Sequence, residues 1–89
     1  MISRPVTIIN KLGLHARAAT RLVSCASAFE SELWINNSEK TINGKSIMGV
    51  LTLAASKGTR LEIKADGPDQ EEALEAAIDL ISDRFGEDE

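Results

Sequence analysis

Residues Arg60-Leu61-Glu62-Ile63-Lys64-Ala65 alternate without a break between charged and apolar side chains. Successive side chains on a strand point to opposite faces, so such a run belongs to a sheet that is wet on one face and covered on the other. Other segments repeat the pattern more loosely. Ile2 to Ile9 reads as a strand with Val6 and Ile8 on one face and Ser3 and Thr7 on the other. Pro5 has no N–H to give to a ladder, which predicts a place at the sheet edge. Leu33 and Ile35 alternate with Glu32, Trp34 and Asn36. After a turn at Asn37-Ser38-Glu39, Lys40 to Asn43 makes a short return strand.

The covering layer is helical. From His15 to Phe29 the residues Ala18, Leu22, Cys25, Ala26 and Phe29 recur at helical spacing, and Ala16 and Ala19 add helix propensity. Ser46 is placed to cap a short helix with the apolar stripe Ile47, Val50, Leu51 and Ala54, closed by Lys57-Gly58. After the turn Asp66-Gly67-Pro68, Asp69 and Glu72 form a capping-box pattern. The helix they open buries Leu74, Ala77, Ile78, Ile81 and Phe85 and ends at Gly86. The order βαββαβα predicts a two-layer α+β domain, an antiparallel sheet with helices on one side. The 89 residues fit one such domain, residues 1–89, with no linker and no repeat.

Only three aromatics, Phe29, Trp34 and Phe85, are available, so the core must be aliphatic. A chain of this length buries a modest share of its surface, which places any chemistry near the outside. Cys25 is the sole cysteine, so neither an internal disulfide nor a cysteine-based zinc site is expected, and a single histidine makes no metal site. Met1-Ile2-Ser3-Arg4-Pro5 lacks the apolar stretch of a signal peptide, and no run approaches the ~20 residues of a membrane span. A cytoplasmic protein without membrane insertion is expected. Residues 1–60 hold eight Lys/Arg against three Asp/Glu, a balance of +5, whereas residues 61–89 hold two against eleven, a balance of −9. The overall acidity argues against nucleic-acid binding. The basic first two-thirds suits phosphate or an acidic protein partner.

The one histidine stands where loop becomes helix. The first N–H groups of a helix lack internal partners and face the positive end of its macrodipole, so an anion there is stabilised. A phosphoryl group on His15 would lie near the N–H groups of Ala16 and Arg17. The Arg17 guanidinium offers a planar fork for its oxygens, and Arg21 extends the positive field one turn on. Other schemes fare worse. A His15–Cys25 pair would stand roughly 15 Å apart along the helix, and Cys25 reads better as a small buried apolar residue. Gly44-Lys45-Ser46 resembles the end of a phosphate-binding loop, but Glu39 occupies the position of its first glycine. The acids Asp69, Glu71, Glu72, Glu75 and Asp79 read as a solvated helix face. Two readings of the residues remain. His15 carries a phosphoryl group, or it only caps the helix of a non-catalytic protein-binding module.

Gly13-Leu14-His15-Ala16-Arg17 resembles the phosphorylation-site block of the HPr family, the histidine-containing phosphocarriers of the bacterial phosphoenolpyruvate-dependent phosphotransferase system. Lys45-Ser46-Ile47-Met48-Gly49-Val50 is similar to that family's second signature, at the expected separation. The likeness extends over essentially the whole chain, including Ala55-Ser56-Lys57-Gly58 and Asp66-Gly67-Pro68. It implies an open-faced β-sandwich, four antiparallel strands with three helices on one face. It implies a carrier, not an enzyme, in which enzyme I phosphorylates His15 at Nδ1 and the group passes to a IIA protein or domain. Arg17 matches the active-site arginine and Ser46 the serine that a dedicated HPr kinase/phosphorylase modifies in some relatives. Thr20, Arg21, Ile47, Met48 and Leu51 match the partner-docking surface. No cofactor or metal is implied, and a monomer is expected. Sugar-uptake carriers and those of the nitrogen-related branch share these features. Many members have proline where this chain has Ala18; alanine is a strong helix former, so the helix and the transfer chemistry are expected to survive.

Overall fold

The computed structural model describes residues 1–89. The alternating run at 60–65 lies inside strand β4 (Arg60–Asp66), which pairs antiparallel with both β1 (Ile2–Thr7) and β2 (Glu32–Asn36). A short β3 (Thr41–Asn43) pairs with β2, giving the sheet order β1-β4-β2-β3. Pro5 therefore sits on an edge strand, where its missing N–H costs no ladder bond. The register keeps one set of side chains inside: Val6 stands opposite Leu61, Ile35 opposite Ile63 and Leu33 opposite Ala65. On the wet face Pro5 and Asn36 flank Glu62, and Ser3 and Trp34 flank Lys64.

Three helices cover the inner face: α1 (Ala16–Ser27), α2 (Ile47–Thr52) and α3 (Gln70–Ser82). Helix α3 packs on β1, β4 and α1, and α1 in turn packs on α2. The buried faces of α1 and α3 are rich in alanine (Ala18, Ala19, Ala26; Ala73, Ala77), which lets backbones approach while Leu22, Leu74 and Ile81 fill the remaining space. Twenty-one buried apolar residues form one continuous core, and each fully buried Leu, Ile or Phe among them contributes about 1.5–3 kcal/mol. The architecture is the expected α+β fold. With Ala18 at its third position and fully buried, α1 forms without the proline. The longest helix has 13 residues, and no helix is long and apolar enough to cross a membrane.

Several local expectations are corrected. Strand β1 stops at Thr7, although Ile8 still exchanges backbone bonds with Gly58 (2.7 Å) and Thr59 (2.9 Å). His15 and Phe29 lie outside α1, and Cys25 is half-buried rather than buried. Helix α2 ends at Thr52, well before Lys57-Gly58, because the chain turns left-handed at Ala54 (φ 48°) and swings Leu53 and Ala55 inward. Ala54 is consequently exposed, and Ile47, the first residue of α2, is exposed as well rather than part of a buried stripe. Asp69 occupies the N-cap position of α3 but makes no cap bond, so there is no capping box. Its carboxylate is drawn instead to the turn before β2, accepting from Ser31 Oγ (2.5 Å), Ser31 N (2.9 Å) and Glu30 N (3.1 Å). Helix α3 ends at Ser82, so Phe85 reaches the core from a separate short turn.

Candidate phosphoryl-transfer site

The loop that delivers His15 is held by backbone contacts. Gly13 is left-handed (φ 67°), and a side chain there would collide with the Ala55 carbonyl and come within 2.9 Å of Ser56 Cα. Only glycine meets both demands. Leu14 follows, buried, with its N–H bonded to the Ala55 carbonyl at 2.8 Å. His15 then enters as the N-cap of α1 in extended conformation, its carbonyl accepting from Ala19 N at 2.8 Å.

The His15 side chain does not cap the helix. Nor does α1 carry an acidic residue in its first turn, so its leading N–H groups are left without a resident anion. The ring instead turns Nε2 to the carboxylate of Glu87, and Nδ1 has no partner. About a quarter of the imidazole side chain remains exposed (28%). None of the surface depressions is lined by His15 or Arg17, so the imidazole is presented at the surface rather than enclosed.

Glu87 and Asn10 were not foreseen as site residues. After α3, Arg84, Phe85 and Gly86 are all left-handed (φ 56°, 55° and 77°), and this sharp reversal carries the chain back over α1. Phe85 is fully buried, and its carbonyl accepts from the Arg21 guanidinium. Glu87 thereby reaches His15, while its other oxygen accepts from Asn10 Nδ2 at 2.9 Å. The Asn10 amide above all, then the His15 ring and the nearby Arg21 charge, holds the Glu87 carboxyl below the usual range, against a partial desolvation that works the other way. Asn10 is itself fully buried, and Nδ2 also donates to the Gly13 carbonyl at 2.9 Å. Its Oδ1 has no partner, a desolvation cost of about 1–3 kcal/mol. Such orphaned atoms are rare in native structures.

The other expected residues fall into two groups. Arg17 is exposed on the first turn of α1 and forms no ion pair within the chain. Thr20 bonds back to the Ala16 carbonyl at 2.8 Å, and Arg21 serves as a strut to the returning chain instead of standing free. Ser46 caps α2 as expected, accepting from Gly49 N at 3.1 Å. Beside it Ile47 and Met48 are exposed, Met48 to 72%, while Leu51 is half-buried against the core. Leu12, three residues before His15, is a further exposed apolar side chain.

Residues 2–83 match the family model of the PTS HPr component phosphorylation site. The chain is 51% identical over its full 89 residues to the phosphocarrier protein HPr of Neisseria meningitidis serogroup A, also covering 100% of that protein. It is 47% identical over 89 residues to that of Cupriavidus necator, with both chains fully covered. Among solved structures it is similar to HPr-C-His from Thermoanaerobacter tengcongensis, with a TM-score of 0.96, 44% identity and full coverage of both chains. A partly exposed imidazole at an open helix N-terminus, on this fold and with this degree of likeness, places the chain in the HPr family, the phosphocarriers of the bacterial phosphotransferase system, which relay phosphoryl groups and are not enzymes.

Proposed function

We propose that His15 accepts a phosphoryl group at Nδ1 from phosphorylated enzyme I and passes it to a IIA protein or domain in the cytoplasm, with residues 1–89 acting as one carrier domain. The observation that carries this is the free Nδ1 beside the uncapped, acid-free N-terminus of α1. The Nδ1 lone pair attacks phosphorus in line as the bond between phosphorus and the donor atom of enzyme I breaks, and that electron pair returns to the donor. Leading N–H groups of α1, those of Ala16 and Arg17 first, receive the equatorial oxygens, and the unpaired Arg17 guanidinium reaches back to share their charge. Onward transfer to a IIA protein or domain runs through the same groups in reverse, which suits a carrier that must bind the phosphoryl group without trapping it.

Docking rests on the exposed Ile47 and Met48 with Leu51, together with Thr20 and the basic residues of α1. Methionine adapts to differing partner surfaces at little cost. Ser46 stands at the edge of this patch, where phosphorylation by an HPr kinase/phosphorylase would put close to two negative charges beside it. Intact mass measured after incubation with enzyme I, phosphoenolpyruvate and Mg²⁺ tests the proposal. One acid-labile phosphoryl group is expected on the wild type and none on His15→Ala. Failure to load with several competent donors would overturn it.

A further inference from the structure

We propose that Glu87 is a positioning residue which, oriented by Asn10, fixes the proton of neutral His15 on Nε2 and so keeps Nδ1 as the nucleophile. The proposal rests on His15 being the phosphorylated residue.

A neutral imidazole has one N–H and one lone pair, and a hydrogen bond at one nitrogen decides which is which. Glu87 is ionised over the working range and has only acceptor oxygens, so the His15 Nε2 facing it must be the protonated one. Nδ1 then holds the lone pair. The carboxylate is not free to turn away, because its second oxygen accepts from Asn10 Nδ2 at 2.9 Å. Asn10 cannot flip either. Its Nδ2 is shared with the Gly13 carbonyl at 2.9 Å, and a flip would press Oδ1 against two acceptor oxygens. This accounts for the orphaned Oδ1 of a fully buried asparagine: only the NH₂ end has work in this orientation. The chain of orientation runs from the Gly13 carbonyl through Asn10 and Glu87 to the His15 ring. As the N–P bond forms at Nδ1 the ring gains positive charge while keeping its Nε2 proton, and the Glu87 carboxylate lies against that proton to offset it.

The consequence is an unusual rank order of variants. In Glu87→Gln the Asn10 NH₂ still demands an acceptor, so the glutamine oxygen faces Asn10 and its NH₂ faces His15. Nε2 must then accept, which moves the proton to Nδ1 and removes the nucleophilic lone pair. Glu87→Ala merely frees the ring, which keeps a mixture of tautomers. The near-isosteric change is therefore the more damaging one. A carboxylate-to-amide swap behind the histidine of a serine-protease triad costs about 10⁴-fold for the same reason. Because His15 is partly open to water, a loss of at least about tenfold is expected here.

The test uses the full chain, ¹⁵N-labelled, at a pH two units above the ordinary histidine value of about 6.5. Long-range ¹H–¹⁵N correlations report the His15 tautomer, and rapid mixing with phosphorylated enzyme I reports the rate of loading. Wild type should show Nε2–H, Glu87→Gln a shift toward Nδ1–H, and Glu87→Ala an intermediate; loading rates should fall in the order wild type, Ala, Gln. A tautomer unchanged in Glu87→Gln, or a Gln variant that loads as fast as the Ala variant, overturns the proposal. The tautomer measurement needs no phosphate. A wild type that never loads would therefore count against the carrier role of His15 and leave the tautomer result to be judged by itself.

Discussion

Replacing Ser46 separates what that residue does for the fold from what it does for binding. Its Oγ accepts the Gly49 N–H at 3.1 Å, one of the few donors that the six-residue α2 leaves unpaired at its start. Loss of an N-cap hydroxyl costs about 0.5–2 kcal/mol. Ser46 is half-buried, so water replaces part of the bond and a value near 1 kcal/mol is expected for Ser46→Ala. For a domain of this size that lowers Tm by about 4–8 °C. Ser46→Asp keeps an acceptor in place and adds a charge that the helix dipole favours by about 0.3–1 kcal/mol, so its Tm should equal or exceed the wild-type value. Binding should run the other way. The new charge stands next to Ile47 and the largely exposed Met48, where a partner must bury apolar surface. Affinity for enzyme I should fall in Ser46→Asp and recover in part with added salt, which screens the charge, whereas Ser46→Ala should bind normally. Thermal melts and titrations of enzyme I at low and high salt decide both halves. A Ser46→Ala melt within about 1 °C of wild type would remove the cap bond from the account. Equal low-salt affinities of wild type and Ser46→Asp would leave Ser46 as a cap alone.

Three further outcomes follow from the same structure. Arg17→Ala should leave the melting temperature unchanged but slow loading, and Arg17→Lys should restore only part of the rate, since an ammonium lacks the planar fork; wild-type rates in both would take Arg17 out of the site. Phe85→Ala should cost about 3–5 kcal/mol in urea denaturation, because the side chain is fully buried, and a loss below about 1 kcal/mol would show that the returning chain is not anchored there. The Ser31 hydroxyl first, with the backbone N–H groups of Ser31 and Glu30, holds the Asp69 carboxyl below its ordinary range against some desolvation. A folded pKa below the unfolded value means stabilisation that is complete above the unfolded value, near 3.8, and lost as pH falls through the folded one. Asp69→Asn should therefore be less stable at neutral pH and show a shallower acid limb in urea midpoints taken from pH 6 to pH 2; parallel curves would contradict the assignment.

The sheet and the placing of His15 at a helix start were legible because each depends on local pattern. Strict alternation at 60–65 has one structural solution, and Pro5 marks an edge wherever the sheet lies. His15 was legible because a lone imidazole at a helix start is a local feature with a chemical consequence. The missed parts are set by contacts between distant residues. Asp69 has the sequence signature of an N-cap, but three donors at the turn before β2 compete for its carboxylate and win. Phe85 falls on the helical period of α3, yet the left-handed turn that brings it inward has only Gly86 as a marker in the sequence. Glu87 reads as one acid of a charged tail, and Asn10 as one residue of a turn-rich loop. Their meeting at His15 depends on a reversal that no pattern within either segment announces. The turn bonds that Asn10 makes with Gly13 account for an asparagine at the start of this loop, so its presence in the sequence does not announce the reach to Glu87.

The central claim concerns a single atom, and it can be read directly. With ¹⁵N-labelled protein loaded from phosphoenolpyruvate by enzyme I, a ³¹P–¹⁵N coupling should appear at His15 Nδ1, with Nε2 still carrying a hydrogen. Coupling at Nε2, or phosphate found only on a hydroxyl side chain, would contradict the account.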